Sequence, residues 1–196
     1  NAAALDPRNS LLGAEQRNWM DRSLIASQAH WNVLAQQVMM GLVAFPGTAK
    51  DPEPIYSMDQ WPGAAHERMA LARFWADRRI PNPIVLTGDI HSNWVNDLRV
   101  DDRKPETPVI ATEFVGSSIT SGGNGKDNPE ATAKLQAMNP CVRFFNRERG
   151  YVRCTVTPQS WRSDYIAVED ILKPGGRTTV RQSFLVESGK PGAQAV

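Results

Sequence analysis

The chain has 196 residues, 41% of them hydrophobic and 22% charged, with a formal net charge of +1. That length suits a single domain with a sizeable core, in the composition of a soluble globular protein. The balanced charge carries no footprint for nucleic acid or an anionic membrane, and no apolar run approaches the roughly 18 residues of a spanning helix.

From Leu12-Gly13-Ala14-Glu15-Gln16 a helix is predicted to about residue 29, with Trp19, Leu24 and Ile25 only loosely on a helical period. Residues 31–40 read as a strand that mixes apolar positions with Asn32, Gln36 and Gln37. Amides inside a strand must be hydrogen-bonded or face a site. Residues 45–57, rich in Pro, Gly and polar side chains, read as a loop. Asp59 can cap a helix over about 63–79, with Pro62 in its first turn and Ala65, Met69, Ala72 and Ala76 as its inward stripe. Pro81 and Pro83 end that helix and lead into Ile84-Val85-Leu86, an apolar run that predicts a buried strand. Further strands are expected over 95–100 and 109–115, then a Gly- and Ser-rich loop over 117–125. Asn128-Pro129 opens a modest helix to about 138. Three antiparallel strands are expected over 150–157, 163–168 and 178–187, followed by a frayed tail from Ser188. There is no internal repeat and no internal linker.

The most informative stretch is Thr87-Gly88-Asp89-Ile90-His91-Ser92. A buried strand runs into Gly88, which is read as the residue that lets the chain turn sharply. Asp89 and His91 follow at once, and in an open α/β sheet ligands bind beyond the carboxyl ends of the strands. A carboxylate and an imidazole there can hold one metal ion. The plainer alternative is a tight turn with His91 satisfied by a backbone carbonyl. Glu113 reads equally as a buried partner of His91 or as a solvent-facing residue. The loop after it, with Ser118 and Ser121, can orient phosphate oxygens through hydroxyls and backbone N–H groups. Asn32 could face the same site. His30 is read as a capping or packing residue, and His66 as an exposed one. Arg143, Arg147, Arg149 and Arg153, set among Phe144, Phe145 and Tyr151, could attract a phosphate or an aromatic group, but are read as a solvated face with packed aromatics. Cys141 and Cys154 are too far apart for a CxxC motif and are read as two buried thiols, with a disulfide left open. No Walker A, dinucleotide-binding or GxSxG pattern is present.

Taken in order, these blocks resemble the PhoD-type metallophosphoesterases, the alkaline phosphatase D family. The resemblance runs through Leu12-Gly13 with Glu15-Gln16 and Trp19, then Ser27-Gln28-Ala29-His30-Trp31-Asn32 with Gln36-Gln37-Val38. It continues at Asp59-Gln60-Trp61-Pro62-Gly63 with Glu67-Arg68, and is strongest at Leu86-Thr87-Gly88-Asp89-Ile90-His91-Ser92. Glu113-Phe114-Val115-Gly116-Ser117-Ser118-Ile119-Thr120-Ser121, Arg149-Gly150-Tyr151-Val152, Ser183-Phe184 and Pro191-Gly192 complete it, so nearly the whole chain is covered.

The resemblance implies an α/β fold, part of a four-layer αββα metallophosphoesterase sandwich with a mixed sheet. Residues 1–196 would be the C-terminal portion of one catalytic domain, supplying about one sheet and its helices. The family's upstream metal-binding blocks have no counterpart here. Half a sandwich would leave an apolar sheet face bare, to be covered by a partner, expected to be an N-terminal half of the same enzyme. The implied activity is hydrolysis of phosphate monoesters or diesters, with the isolated chain inactive. The metals would be iron and calcium, with zinc or manganese as alternatives, and Asp89 and His91 carry over as metal ligands. Asn32, Glu113, Ser118 and Ser121 would lie near the phosphate ester substrate. The resemblance places such an enzyme in the periplasm or outside the cell, although no signal peptide is legible here. The opening Asn1-Ala2-Ala3-Ala4-Leu5, without an initiator Met, fits a processed or truncated product. The competing reading is a binding or structural module that has lost the metal chemistry.

Overall fold

A computed structural model describes residues 2–196. Helix α1 (Gly13–Ala26) precedes strand β1 (Asn32–Ala35). A two-stranded ribbon, β2 (Ala44–Phe45) with β3 (Ile55–Tyr56), interrupts the stretch expected to be loop. A 3-10 turn over Trp61–Ala64 runs into α2 (Ala65–Asp77), and Asp59 makes no cap to it. Strands β4 (Pro83–Thr87), β5 (Asn93–Leu98) and β6 (Ala111–Val115) follow, then α3 (Pro129–Met138). The Asn128 side chain caps α3 by accepting from the Ala131 N–H at 3.1 Å. The remainder is all strand: β7 (Val142–Asn146), β8 (Gly150–Val156), β9 (Ser160–Val168), β10 (Thr178–Glu187) and β11 (Lys190–Ala195).

Strands β1-β4-β6-β5-β7 form a mixed sheet in that order, and β11-β10-β9-β8 form an antiparallel one. β1 and β6 both run parallel to β4, while β5 is antiparallel to β6 and β7. The chain thus supplies two sheets rather than the single sheet expected. The reason lies in the strand period, which sends successive side chains to opposite faces. On β4, Ile84 packs with Trp161, Tyr165 and Phe184 of the antiparallel sheet, while its neighbour Val85 packs with Met20 of α1 and Leu71 and Trp75 of α2. Both faces are covered, so both residues are buried. Each such side chain contributes roughly 1.5–3 kcal/mol by leaving water. The apolar face expected to be bare is therefore filled from within the chain.

Two further expectations are corrected. The tail from Ser188 is not frayed: β11 pairs with β10, and the Ala193 N–H donates to the Asp97 carboxylate on β5 at 2.9 Å. That bond ties the edge of one sheet to the other. The cysteines are both free, Cys141 buried and Cys154 exposed. Burial pushes the Cys141 thiol up to about 12, so it stays protonated.

The basic and acidic residues of α2 are less solvated than their helix position suggests. His66 is exposed as expected, but Glu67 and Arg68 are buried. The Arg68 guanidinium pairs with Asp102 at 2.6 Å and donates to the Met40 and Val100 carbonyls at 3.1 and 3.0 Å. Asp102 also accepts from the Leu42 N–H at 2.9 Å, so the pair pins the segment after β1. Removing one partner of such a pair strands the other charge, at a cost of about 3–5 kcal/mol.

Candidate metal and phosphate site

The carboxyl ends of the three parallel strands converge at one end of the mixed sheet. There β1 runs into Gln36 and Gln37, β4 into Gly88-Asp89-Ile90-His91, and β6 into the loop from Gly116. Backbone bonds lace them together: the Gln36 N–H donates to the Leu86 carbonyl at 3.0 Å, Gly88 to Gln37 at 3.3 Å, and Gly116 to Thr87 at 2.9 Å.

The turn after β4 is not made by its glycine. A Cβ on Gly88 would meet nothing within 4 Å. The left-handed residues are Asp89, at φ 65°, and His91, at φ 57°. The Ile90 N–H closes on the Gly88 carbonyl at 2.8 Å, forming a three-residue turn centred on Asp89. Positive φ is uncommon for a residue with a Cβ and costs of order 1 kcal/mol or more. Two such residues two positions apart, both exposed, mark a strained segment held by its surroundings.

Much of that hold comes from Arg149, just before β8. Its guanidinium is buried and faces no carboxylate among the described residues; its N–H groups go mainly to backbone carbonyls. Nη1 donates to His91 at 2.6 Å and Arg147 at 2.9 Å, Nε to Ser121 at 2.7 Å, and Nη2 to Gly122 at 3.2 Å. One side chain thereby joins the turn after β4 to the loop after β6. Gly122 has φ 77°, and a Cβ there would come within 2.8 Å of Arg149 Nη2, so this loop position requires glycine. The sequence places Arg149 in a solvated basic face, and the structure buries it instead. Its burial is not legible locally, because the His91, Ser121 and Gly122 carbonyls lie 27 to 58 residues away.

Asn93 performs a related task. Its side-chain oxygen accepts from the Ser117 N–H at 3.0 Å, and its amide donates to the Glu148 carbonyl at 3.0 Å. Ser118 Oγ donates to the Ser121 carbonyl at 2.9 Å, within the same loop. Ser118 and Ser121 therefore lie beside the Asp89–His91 turn, linked to it through Arg149.

Glu113 and Asn32 lie elsewhere. Glu113 is fully buried on β6 and neither solvent-facing nor bonded to His91. Its carboxylate accepts from the Met40 N–H at 2.7 Å, Thr87 Oγ1 at 2.7 Å, the Gly41 N–H at 2.9 Å and Asn96 Nδ2 at 2.9 Å. Burial raises its pKa and those four donors oppose the rise. Asn32 opens β1, paired with Pro83, at the opposite end of the sheet. Four residues of strand, about 13 Å, separate it from the level of Thr87. Its amide donates to the Pro81 carbonyl at 2.7 Å. The expected strand over 31–40 ends at Ala35, and it is Gln36 and Gln37 that reach the site's end.

Asp89 and His91 offer one oxygen and one nitrogen donor set, and neither side chain is engaged in a hydrogen bond or ion pair among the described residues. That chemistry fits a divalent or trivalent metal. No cluster of three or more His, Cys, Asp or Glu side chains that could hold a metal is found among the described residues. Two donors would make only a partial shell for such an ion.

A family model described as PhoD-like phosphatase matches residues 1–165, so the chain belongs to that family. It is 42% identical over 191 residues to alkaline phosphatase D of Bacillus subtilis (strain 168), an alignment that covers 97% of this chain and 32% of that protein. A solved structure described as that of PhoD superposes with a TM-score of 0.92 at 42% identity, covering all of this chain and 37% of the other. The α/β architecture is thus that of a PhoD structure. The chain spans about a third of the length of these relatives.

Proposed function

We propose that this chain is the part of a metal-dependent phosphoric ester hydrolase that supplies Asp89 and His91 to the metal centre. The observation that carries the reading is the strained turn of Asp89 and His91 at the carboxyl end of β4, two free donor side chains aimed away from the core beside a hydroxyl-bearing loop. Family membership and the name of the Bacillus relative favour the same chemistry. Iron with calcium is the proposed metal content, zinc or manganese the alternative. A bound metal would polarise the phosphoryl oxygen and neutralise its charge. The chain's own residues would hold one metal from one side, and the 117–122 loop would present N–H and hydroxyl donors to phosphate oxygens. Both monoesters and diesters suit this chemistry, in a periplasmic or secreted enzyme. No helix among the described residues is long and apolar enough to cross a membrane.

The remaining ligands are proposed to come from an N-terminal half of the same enzyme, seated along β1. That strand is the edge of the mixed sheet, and Val33 on it is 43% exposed. Trp19 and Leu11 beside it are 60% and 48% exposed, an apolar margin of the kind that marks a covered surface. The 196-residue chain alone is then inactive. The test is Asp89→Asn in the intact metal-loaded protein. Loss of phosphate ester hydrolysis together with a fall in bound metal supports the reading. Unchanged metal content and turnover overturns it.

A further inference from the structure

Next to His91 the surface opens into a cavity of about 540 Å³ that no part of the reading above uses. It lies between α3, the β2 ribbon and the ends of β5 and β7. Phe45, Ile90, Trp94 and Phe145 form its apolar wall, with the Trp94 and Phe145 rings tilted at 44° and 4.2 Å between centroids. Its size is that of an ordinary small-molecule pocket, and its wall is of the usual apolar and aromatic kind.

The polar part is one-signed. Lys134, Arg147 and Arg149 line the cavity, and no carboxylate among the described residues does. Arg149 spends its N–H groups on carbonyls, and Lys134 pairs with the exposed Glu130 at 2.7 Å. Arg147 is exposed, with its guanidinium in no ion pair among the described residues. A neutral or cationic guest would leave that charge unanswered.

Resting on the phosphoesterase reading, we propose that this cavity is the subsite for the organic substituent of the phosphate ester, and that it selects an aromatic group bearing an acidic function. With phosphorus at Asp89 and His91, the substituent needs only to extend past His91, which lines both places. The aromatic body would pack on Phe145 and Phe45, and its acid would meet Arg147. A buried phenyl group and one charge-assisted hydrogen bond each change affinity by about tenfold.

Competitive inhibition by phosphonates tests this without any leaving-group chemistry. In the intact metal-loaded enzyme, phenylphosphonate should bind about tenfold tighter than methylphosphonate, and 4-carboxyphenylphosphonate tighter again. Arg147→Ala should erase the carboxyl preference and keep the phenyl one. Phe145→Ala should reduce the phenyl preference; since Phe145 also packs on Trp94, Ala131→Trp serves as a second variant. Ala131 is an exposed lining residue on α3, so bulk there fills the cavity and should weaken both phenyl compounds while leaving methylphosphonate unchanged. Equal inhibition constants for the three phosphonates, unchanged by Ala131→Trp, would overturn the subsite and leave the phosphoesterase reading intact. An enzyme that hydrolyses no phosphate ester and is inhibited by no phosphonate would overturn both.

Discussion

The Arg149 guanidinium donates to the main-chain carbonyl of His91 at 2.6 Å, and the same group reaches the Ser121 and Gly122 carbonyls on the facing loop. A buried cation thus holds a strained turn to a loop of hydroxyls with no carboxylate partner among the described residues. Arg149→Met is expected to strand those carbonyls and to cost about 2–4 kcal/mol in urea unfolding. Metal affinity, followed by calorimetry, should fall at least tenfold as the turn loosens. Arg149→Lys should recover little of it, because one ammonium cannot span two segments as a planar fork does. Full rescue by lysine would mean that only the charge matters.

The residues of the turn are separable. Gly88 has neither a positive φ nor a neighbour for an added Cβ, so Gly88→Ala should change unfolding stability by less than about 1 kcal/mol. His91→Gly removes a side chain from a left-handed position and should leave metal-free stability equal or slightly higher, while lowering metal affinity. His91→Asn keeps a residue that tolerates this conformation and should behave the same way in the metal titration. A large loss of metal-free stability in His91→Gly would show that the imidazole is structural.

Glu113 binds four donors at 2.7 to 2.9 Å, and a glutamine cannot accept them all. Glu113→Gln should destabilise by about 2–3 kcal/mol, because its amide opposes at least one N–H donor in a buried place. Chemical denaturation of the variant reads this directly. A neutral result would mean that the carboxyl is already protonated in the folded protein.

Asp164 sets an acid dependence. Burial pushes its carboxyl up, but bonds from Ser183, Arg153 and Arg162 outweigh that and hold it at about 2, below the ordinary 3.8. The folded-state value is the lower one, so the stabilisation is complete above pH 3.8 and is lost as pH falls toward 2. The stability gap between the wild type and Asp164→Asn should therefore shrink over that window. A gap independent of pH would show that the ion pairs with Arg153 and Arg162 contribute nothing.

Much was legible before folding was considered. The apolar run of β4 flanked by Pro83 and Gly88 marks a buried strand, and it places Asp89 and His91 at a carboxyl end. The helix at 129–138 follows from its Asn128-Pro129 start, and the one at 13–26 from composition, although it ends before the expected residue 29. The strand β7 did not emerge, since Arg143, Phe144 and Phe145 read as a basic and aromatic cluster rather than as an alternation. The tail strand β11 did not emerge either, because its Gly and Ala residues have low strand propensity and are held by β10 and Asp97.

What the sequence determined by itself is local: where the chain must turn, which runs are apolar, and which donors stand together within a few residues. Periodicity and steric preference act over such distances. The tertiary structure alone decided that Arg149 is buried against carbonyls, that Glu113 serves the loop at Met40 and Gly41 instead of His91, and that Asn32 lies at the far end of the sheet. Each depends on contacts between residues 27 to 73 positions apart or on strand register. A hydrogen bond at that separation leaves no periodic trace in the sequence, because its partner is chosen by packing.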